Sequence, residues 1–162
     1  MRIVSVLLLL LVAACGDDTP AAKLNVGQVA PAFVAKHVDG NPARLAAWAG
    51  KPLVIRFWAD WCKFCEGEMQ AIEKVYQRLK PRGLEVIAIN AGQDARTVAA
   101  FMQKIGVSYP ALLDEDSAIA KSYGVVGLPT TYFVDAKGIV RAKLVGEADV
   151  ASFERAAAEI LK

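Results

Sequence analysis

The sequence predicts one α/β domain built on a mixed central β-sheet with helices on both faces. Three observations carry this expectation. First, Leu53-Val54-Ile55-Arg56-Phe57-Trp58 and the stretch from Leu84 to Asn90 are nearly continuous apolar runs, the pattern of strands covered on both sides. Second, the segments between and after them repeat their apolar residues at helical spacing. Third, Thr130–Val134 and Ile139–Val145 are joined through Asp135-Ala136-Lys137-Gly138, a hairpin connection, so the sheet cannot be wholly parallel. The element order read along the chain is β–α–β–α–β–α–β–β–α, which implies a layered mixed sheet. The 162 residues suit one domain, long enough to bury a core without metals or structural disulfides.

At the N-terminus, Arg2 supplies a positive start, and Ile3 to Val12 form an apolar run interrupted only by Ser5. Small residues Ala13 and Ala14 precede Cys15. Residues 1–14 therefore read as a secretory signal peptide, too short for a membrane span. Val12-Ala13-Ala14-Cys15 resembles a bacterial lipobox, which implies cleavage before Cys15 and lipidation of its sulfur and freed amine. Several acyl chains together make a stable anchor. An ordinary signal peptide with an incidental Cys15 is the alternative. Residues 15–25 lack apolar periodicity and read as a tether, leaving residues 26–162 as the folded domain.

Within that domain, Ala30 to Val38 reads as extended, and Asp39-Gly40-Asn41 as a turn. Leu45 to Trp48 forms a short helical or looped approach, and Pro52 opens the first buried strand. Met69, Ile72, Val75, Tyr76 and Leu79 mark a helix that Pro81-Arg82-Gly83 ends. After the strand from Leu84 to Asn90, Asp94 is placed to cap a helix carrying Val98, Phe101, Met102 and Ile105, closed by Gly106. Ala111 to Asp114 is a short strand. Asp116 or Ser117 caps a brief helix that stops at Gly124. The last helix carries Val150, Phe153, Ala157, Ile160 and Leu161 on one side.

Composition narrows the function. Hydrophobic residues make up 55% and charged residues 22%, so the chain is globular. A net charge of +2 with no basic cluster gives no reason to expect a nucleic-acid partner. Three cysteines are too few for a disulfide scaffold. Lipidation would use Cys15 and leave two in the domain.

Those two lie in Trp61-Cys62-Lys63-Phe64-Cys65, where a buried strand passes into a helix. A helix start offers unpaired N–H groups and partial positive charge, which stabilise a thiolate. The thiolate is the nucleophile, so a lowered pKa at Cys62 raises its reactive fraction. Two intervening residues let Cys65 face Cys62 and resolve a mixed disulfide. A purely structural disulfide is possible, but so short a loop restrains the unfolded chain little. Half a zinc site is another reading, yet a full site usually needs two more ligands. The only histidine is His37, so a three-ligand copper-binding or delivery module remains the alternative from another class. His37 itself reads more simply as an exposed loop residue. A peroxiredoxin normally carries Thr-x-x-Cys, whereas Ala59 lies three before Cys62, which disfavours that class.

Phe57-Trp58-Ala59-Asp60-Trp61-Cys62-Lys63-Phe64-Cys65 closely resembles the active-site segment of the thioredoxin superfamily. Gly127-Leu128-Pro129-Thr130-Thr131-Tyr132-Phe133-Val134-Asp135 resembles its second hallmark, the cis-proline loop and following strand. The N-terminal extension, an inserted strand–helix and the lipobox look like the TlpA/ResA-like branch. The resemblance covers roughly residues 26–162. It implies a thioredoxin-like fold and a thiol–disulfide oxidoreductase whose reacting pair is Cys62 and Cys65. It also implies a cis-proline at Pro129, with the Leu128 backbone free to pair with an extended substrate. Trp61, Lys63, Phe64 and Leu128 are the expected substrate contacts. No cofactor beyond the redox-active disulfide is implied. The expected partners are disulfide-containing exported proteins, a membrane thiol electron donor, and the membrane itself through lipidated Cys15. The leading reading is a reductase on the extracytoplasmic side, which is the periplasm in a Gram-negative cell. In this branch a frequent substrate is the disulfide of apocytochrome c. An oxidase of exported proteins is the rival, but its large helical insertion and its histidine inside Cys-x-x-Cys are absent.

Two positions depart from the superfamily pattern. Phe64 stands where many members have proline, and Lys63 adds a positive charge beside Cys62, favouring the thiolate. Arg56 occupies the place of a buried acid six residues before the first cysteine and cannot act as a base. Glu68, three after Cys65, matches an acidic position of the ResA-like branch and is the remaining expected catalytic residue. A buried Arg56 would need a carboxylate or carbonyl partner. Glu68, one helical turn beyond Cys65, is placed to supply it. The alternative is that Arg56 reaches solvent past the strand edge.

Overall fold

Alternation within the two apolar runs decides where every other element packs. The computed structural model describes residues 23–162. The expected signal peptide, Cys15 and most of the tether lie outside the described residues. Strand β1 (Val34–His37), β2 (Pro42–Arg44), β3 (Leu53–Trp58), β4 (Glu85–Ala91), β5 (Ala111–Asp114), β6 (Thr130–Val134) and β7 (Val140–Val145) form one sheet. Their order is β2-β1-β5-β4-β3-β6-β7. Strands β3, β4 and β5 run parallel, while the remaining pairings are antiparallel. Every residue of β3 is buried. Val54 and Trp58 face one core, with Val86, Ala88 and Phe133; Leu53, Ile55 and Phe57 face another, with Ile87, Ile89 and Tyr132.

Helices α1 (Cys65–Leu79), α2 (Ala95–Ile105) and α4 (Val150–Glu159) cover the first core through residues including Met69, Phe101 and Phe153. The short α3 (Ala118–Ser122) and a 3-10 turn over Leu45–Trp48 cover the second. Helices thus lie on both faces, but unevenly. At the end of α1, Pro81 sits in a 3-10 turn, and Gly83 takes the left-handed conformation (φ 93°) that glycine adopts without steric cost. Asp94 caps α2 as expected, accepting from the Thr97 amide at 2.8 Å.

Three expectations need correction. Strands β1 and β2 form a hairpin around Asp39-Gly40-Asn41 that the predicted order lacks; strands of four and three residues are too short to display a period. The start of α3 is held chiefly by Asp114, whose carboxylate accepts from the Ile119 and Ala120 amides at 3.0 and 2.8 Å. Ser117 occupies the N-cap position without a side-chain bond, and Asp116 accepts only from Ala118. Val150, assigned to the apolar face of the last helix, is exposed at its first turn, and burial there falls on Phe153, Ala157 and Ile160.

Ahead of β1, the chain laces along the outer edge of β7. Gly27 donates to the Val140 carbonyl (2.8 Å), Val140 to Gln28 (2.9 Å), and Ala30 to Gly138 (2.9 Å). Tyr109, before β5, is buried and donates its hydroxyl to the Met69 carbonyl at 2.9 Å, fastening α1 to the sheet. Tyr109→Phe should keep the packing and lose that bond, lowering stability by about 1 kcal/mol. Urea denaturation of the two proteins measures the difference; an unchanged midpoint would remove this bond from the account.

Candidate active site

The C-terminal end of β3 supplies the turn Ala59-Asp60-Trp61, from which the Cys-x-x-Cys segment enters α1. The Cys62 amide donates to the Ala59 carbonyl (3.2 Å) and the Cys65 amide to the Cys62 carbonyl (3.0 Å). Cys62 and Cys65 are joined by a disulfide, with Cα atoms 5.4 Å apart. Cys65 is the first residue of α1 and has no exposure, whereas Cys62 keeps 7%. Attack from outside therefore reaches Cys62, and Cys65 is placed to act from within. The α1 N-terminus adds its partial positive charge at this point.

Strand β6 begins at the same end of the sheet, with Thr130 opposite Phe57. The Leu128–Pro129 peptide that precedes it is cis. The Thr130 hydroxyl donates to the Gly127 carbonyl (2.7 Å), which closes that loop. Apolar side chains are exposed in the segments that carry the disulfide and Pro129. Trp61 is 69% exposed and Val126 83%, with Phe64 also open to solvent. Leu128 is half-buried against both cores. The ammonium of Lys63 lies 5.4 Å from the Phe64 ring centroid, so its charge sits over that ring.

Arg56 is buried, at 3% exposure. One guanidinium nitrogen donates to the Thr131 hydroxyl (3.0 Å), and the other pairs with a Glu68 carboxylate oxygen. The second Glu68 oxygen accepts from the Ala148 amide at 2.5 Å. Of the two placements open to Arg56, the paired one is adopted. A cavity of about 480 Å³ opens beside Lys63 and Phe64, between α1, the β7–α4 loop and α4, with Arg56 and Glu68 in its wall. On the other side of the motif, Gln93 accepts from the Asp60 and Asn90 side (amide N and Nδ2, both 2.9 Å) and donates to the Asp60 carboxylate (2.6 Å). That tie holds the turn before Cys62 to the β4–α2 loop.

Thr131, Gln93 and the Ala148 amide were not among the expected site residues. Thr131 had a signal, since it lies inside the quoted Gly-Leu-Pro-Thr-Thr segment. A backbone N–H such as that of Ala148 leaves none. His37 lies on β1, separated from β3 by two intervening strands in the sheet order, so it does not join Cys62 and Cys65. Among the described residues, no group of three or more His, Cys, Asp or Glu gathers as a metal site would require.

A family model, that of the AhpC/TSA family, matches residues 26–143. The chain belongs to this thioredoxin-like family. Within it, the chain is similar to the thiol–disulfide oxidoreductase ResA of Geobacillus thermodenitrificans, at 34% identity over 148 residues, 88% of this chain and 85% of that protein. The ResA of Bacillus subtilis is 33% identical over 117 residues, 72% of this chain and 65% of its own length. Among solved structures, a thiol:disulfide interchange protein of the thioredoxin family from Chlorobium tepidum superposes with a TM-score of 0.75 at 28% identity, covering 84% of this chain and 97% of that one. A secreted Mycobacterium tuberculosis disulfide oxidoreductase, homologous to E. coli DsbE, gives 0.72 at 25% identity, covering 78% and 95%. The protein is an enzyme, a thiol–disulfide oxidoreductase with a thioredoxin-like fold.

Breaking the Arg56–Glu68 pair from one side tests its structural weight. Glu68→Ala leaves a buried guanidinium with one hydroxyl partner and should lower stability by about 3 kcal/mol, the low end for buried pairs because Glu68 is not fully enclosed. Guanidinium chloride unfolding reads this directly, and a loss within error of zero would mean that solvent compensates Arg56.

Proposed function

We propose that the protein reduces disulfides of exported polypeptides, with Cys62 as nucleophile and Cys65 as resolving thiol. The observation that carries this reading is the asymmetry of the pair. The outer cysteine keeps some exposure just ahead of a helix N-terminus, and the inner one is fully buried as the first residue of that helix. In the reduced enzyme the Cys62 thiolate attacks one sulfur of the substrate disulfide, and the other sulfur leaves as a thiolate that takes a proton. Cys65, deprotonated, then attacks the Cys62 sulfur. The substrate departs as a dithiol, and the Cys62–Cys65 disulfide remains. A membrane thiol donor returns two electrons and two protons to that disulfide. Glu68, one helical turn beyond Cys65 on α1, is the proposed acidic residue of the site, its carboxylate held by Arg56 and the Ala148 amide.

Trp61, Lys63, Phe64 and Leu128 are the proposed substrate contacts, which suits an extended polypeptide lying across an apolar rim. Apocytochrome c is the proposed substrate, on the strength of the likeness to ResA proteins. The location proposed is extracytoplasmic, with the chain held to the membrane through lipidated Cys15 after removal of residues 1–14. The lipobox-like Val12-Ala13-Ala14-Cys15 supports it, as does the family relationship to a secreted oxidoreductase.

Insulin reduction with a dithiol donor measures the chemistry. Cys62→Ser should abolish turnover, and Cys65→Ser should accumulate mixed disulfides visible on non-reducing gels. Normal turnover by Cys62→Ser would overturn the assignment. Membrane fractionation addresses the anchor: Cys15→Ala should release soluble protein or leave an uncleaved precursor. An unaltered protein found soluble and unlipidated would refute it.

A further inference from the structure

We propose that Arg56 is a positioning residue for disulfide exchange: its guanidinium fixes the Glu68 carboxylate and cancels that carboxylate's field at the Cys62–Cys65 sulfurs. The inference rests on the reading of Cys62 as nucleophile and goes beyond it in assigning a task to a residue that stands where the superfamily keeps an acid.

The geometry is that of a clamp. Arg56 projects from β3 onto the face covered by α1 and α4. Its two terminal nitrogens divide between Thr131 on β6, two residues after Pro129, and Glu68 on α1, three residues after Cys65. The other Glu68 oxygen is held by the Ala148 amide of the β7–α4 loop. A carboxylate bound at both oxygens has one orientation, and here that orientation is toward Arg56.

Charge is the second half of the argument. A bare carboxylate one helical turn from Cys65 would oppose thiolate formation at the site, because like charges disfavour ionisation. A guanidinium never deprotonates near neutral pH, so Arg56 supplies a constant compensating charge. The other ion pairs of the described residues are exposed on at least one side and screened by solvent; the Arg56–Glu68 couple has a buried guanidinium and a largely covered carboxylate. Other ionisable groups do face this couple. Lys63 lies on the approach to α1, and Glu147 and Asp149 on the far wall of the cavity. Asp149 is turned to the Ser152 amide (2.7 Å). Tyr109 packs nearby, its phenol pushed up by burial and so uncharged near neutral pH. None of them touches the Glu68 carboxylate, whose partners are Arg56 and Ala148.

If the two charges cancel, removing either must move Cys62 in opposite directions, and removing both must restore it. The test is the pH dependence of iodoacetamide alkylation of Cys62 in the reduced full-length protein. Arg56→Gln should move the midpoint upward by about one pH unit, and Glu68→Gln should move it downward by a similar amount. The double variant should return close to the unaltered protein. Arg56→Lys keeps the charge and should stay near the unaltered midpoint. Should Arg56→Gln not fold, Glu68→Gln against the double variant, which leaves no unpaired charge, still decides the matter: the downward shift must be reversed when Arg56 is removed as well. Shifts of the same sign, a double variant displaced as far as a single one, or no shift in any variant would overturn the proposal. These curves need only a reduced Cys62, so they stand apart from insulin turnover: active enzyme with unmoved midpoints sinks the clamp alone.

Discussion

A guanidinium inside a strand that is buried along its whole length must be answered by its surroundings, since an unpaired buried charge costs several kcal/mol. In this protein two segments answer it directly, and a third holds the answering carboxylate. Thr131 belongs to the strand that follows Pro129, Glu68 to the helix that begins at Cys65, and Ala148 to the loop that leads into α4. Pairing its two terminal nitrogens therefore draws these three segments into fixed relation. An apolar residue at position 56 could pack well but would leave their relative placement to van der Waals contacts alone.

The same end of the sheet is braced on its other flank by a side-chain amide. Gln93 reaches from the β4–α2 loop to Asp60 and Asn90. The two braces divide the work: the ion pair lies under α1 and next to the cavity, and the amide holds the turn that delivers Cys62. Between them lies Cys62, with Trp61 next to it in the chain, and Val126, ahead of Pro129, projecting into solvent as Trp61 does. A folded monomer gains nothing from exposing such side chains, whereas a partner polypeptide can cover them.

Much of this was legible in the sequence, because the features concerned are either long or chemically singular. The runs at 53–58 and 84–90 have the pattern of strands covered on both faces, and Cys-x-x-Cys at a strand–helix junction points to thiol chemistry. The pairing of Arg56 with Glu68 was one of two placements the sequence left open, suggested by a charge in an apolar run and a carboxylate one turn past Cys65. What stayed hidden depends on three dimensions. Strands β1 and β2 pair only with each other and with β5, and are too brief to show alternation. The start of α3 is held by an aspartate four residues upstream on a strand rather than by the residue at the N-cap position. Gln93 and the Ala148 amide act across 33 and 80 residues of chain. No local pattern marks a side-chain amide or a backbone N–H for such a task.

The treatment of the two sheet borders has a consequence for life at high concentration. An open border strand is a template on which another molecule can grow, the first step toward aggregation. Here one border, β2, is only three residues long and starts with Pro42, which has no N–H to offer. The other, β7, has its first part occupied by the lacing of residues 27–30, and its remaining length carries Arg141 and Lys143. A stretch that looks like slack chain ahead of the first strand is thus also a guard rail. Trimming the N-terminal segment past residue 30 would uncover hydrogen-bonding groups that the intact protein never presents, and self-association, rather than loss of thiol chemistry, would be the first harm.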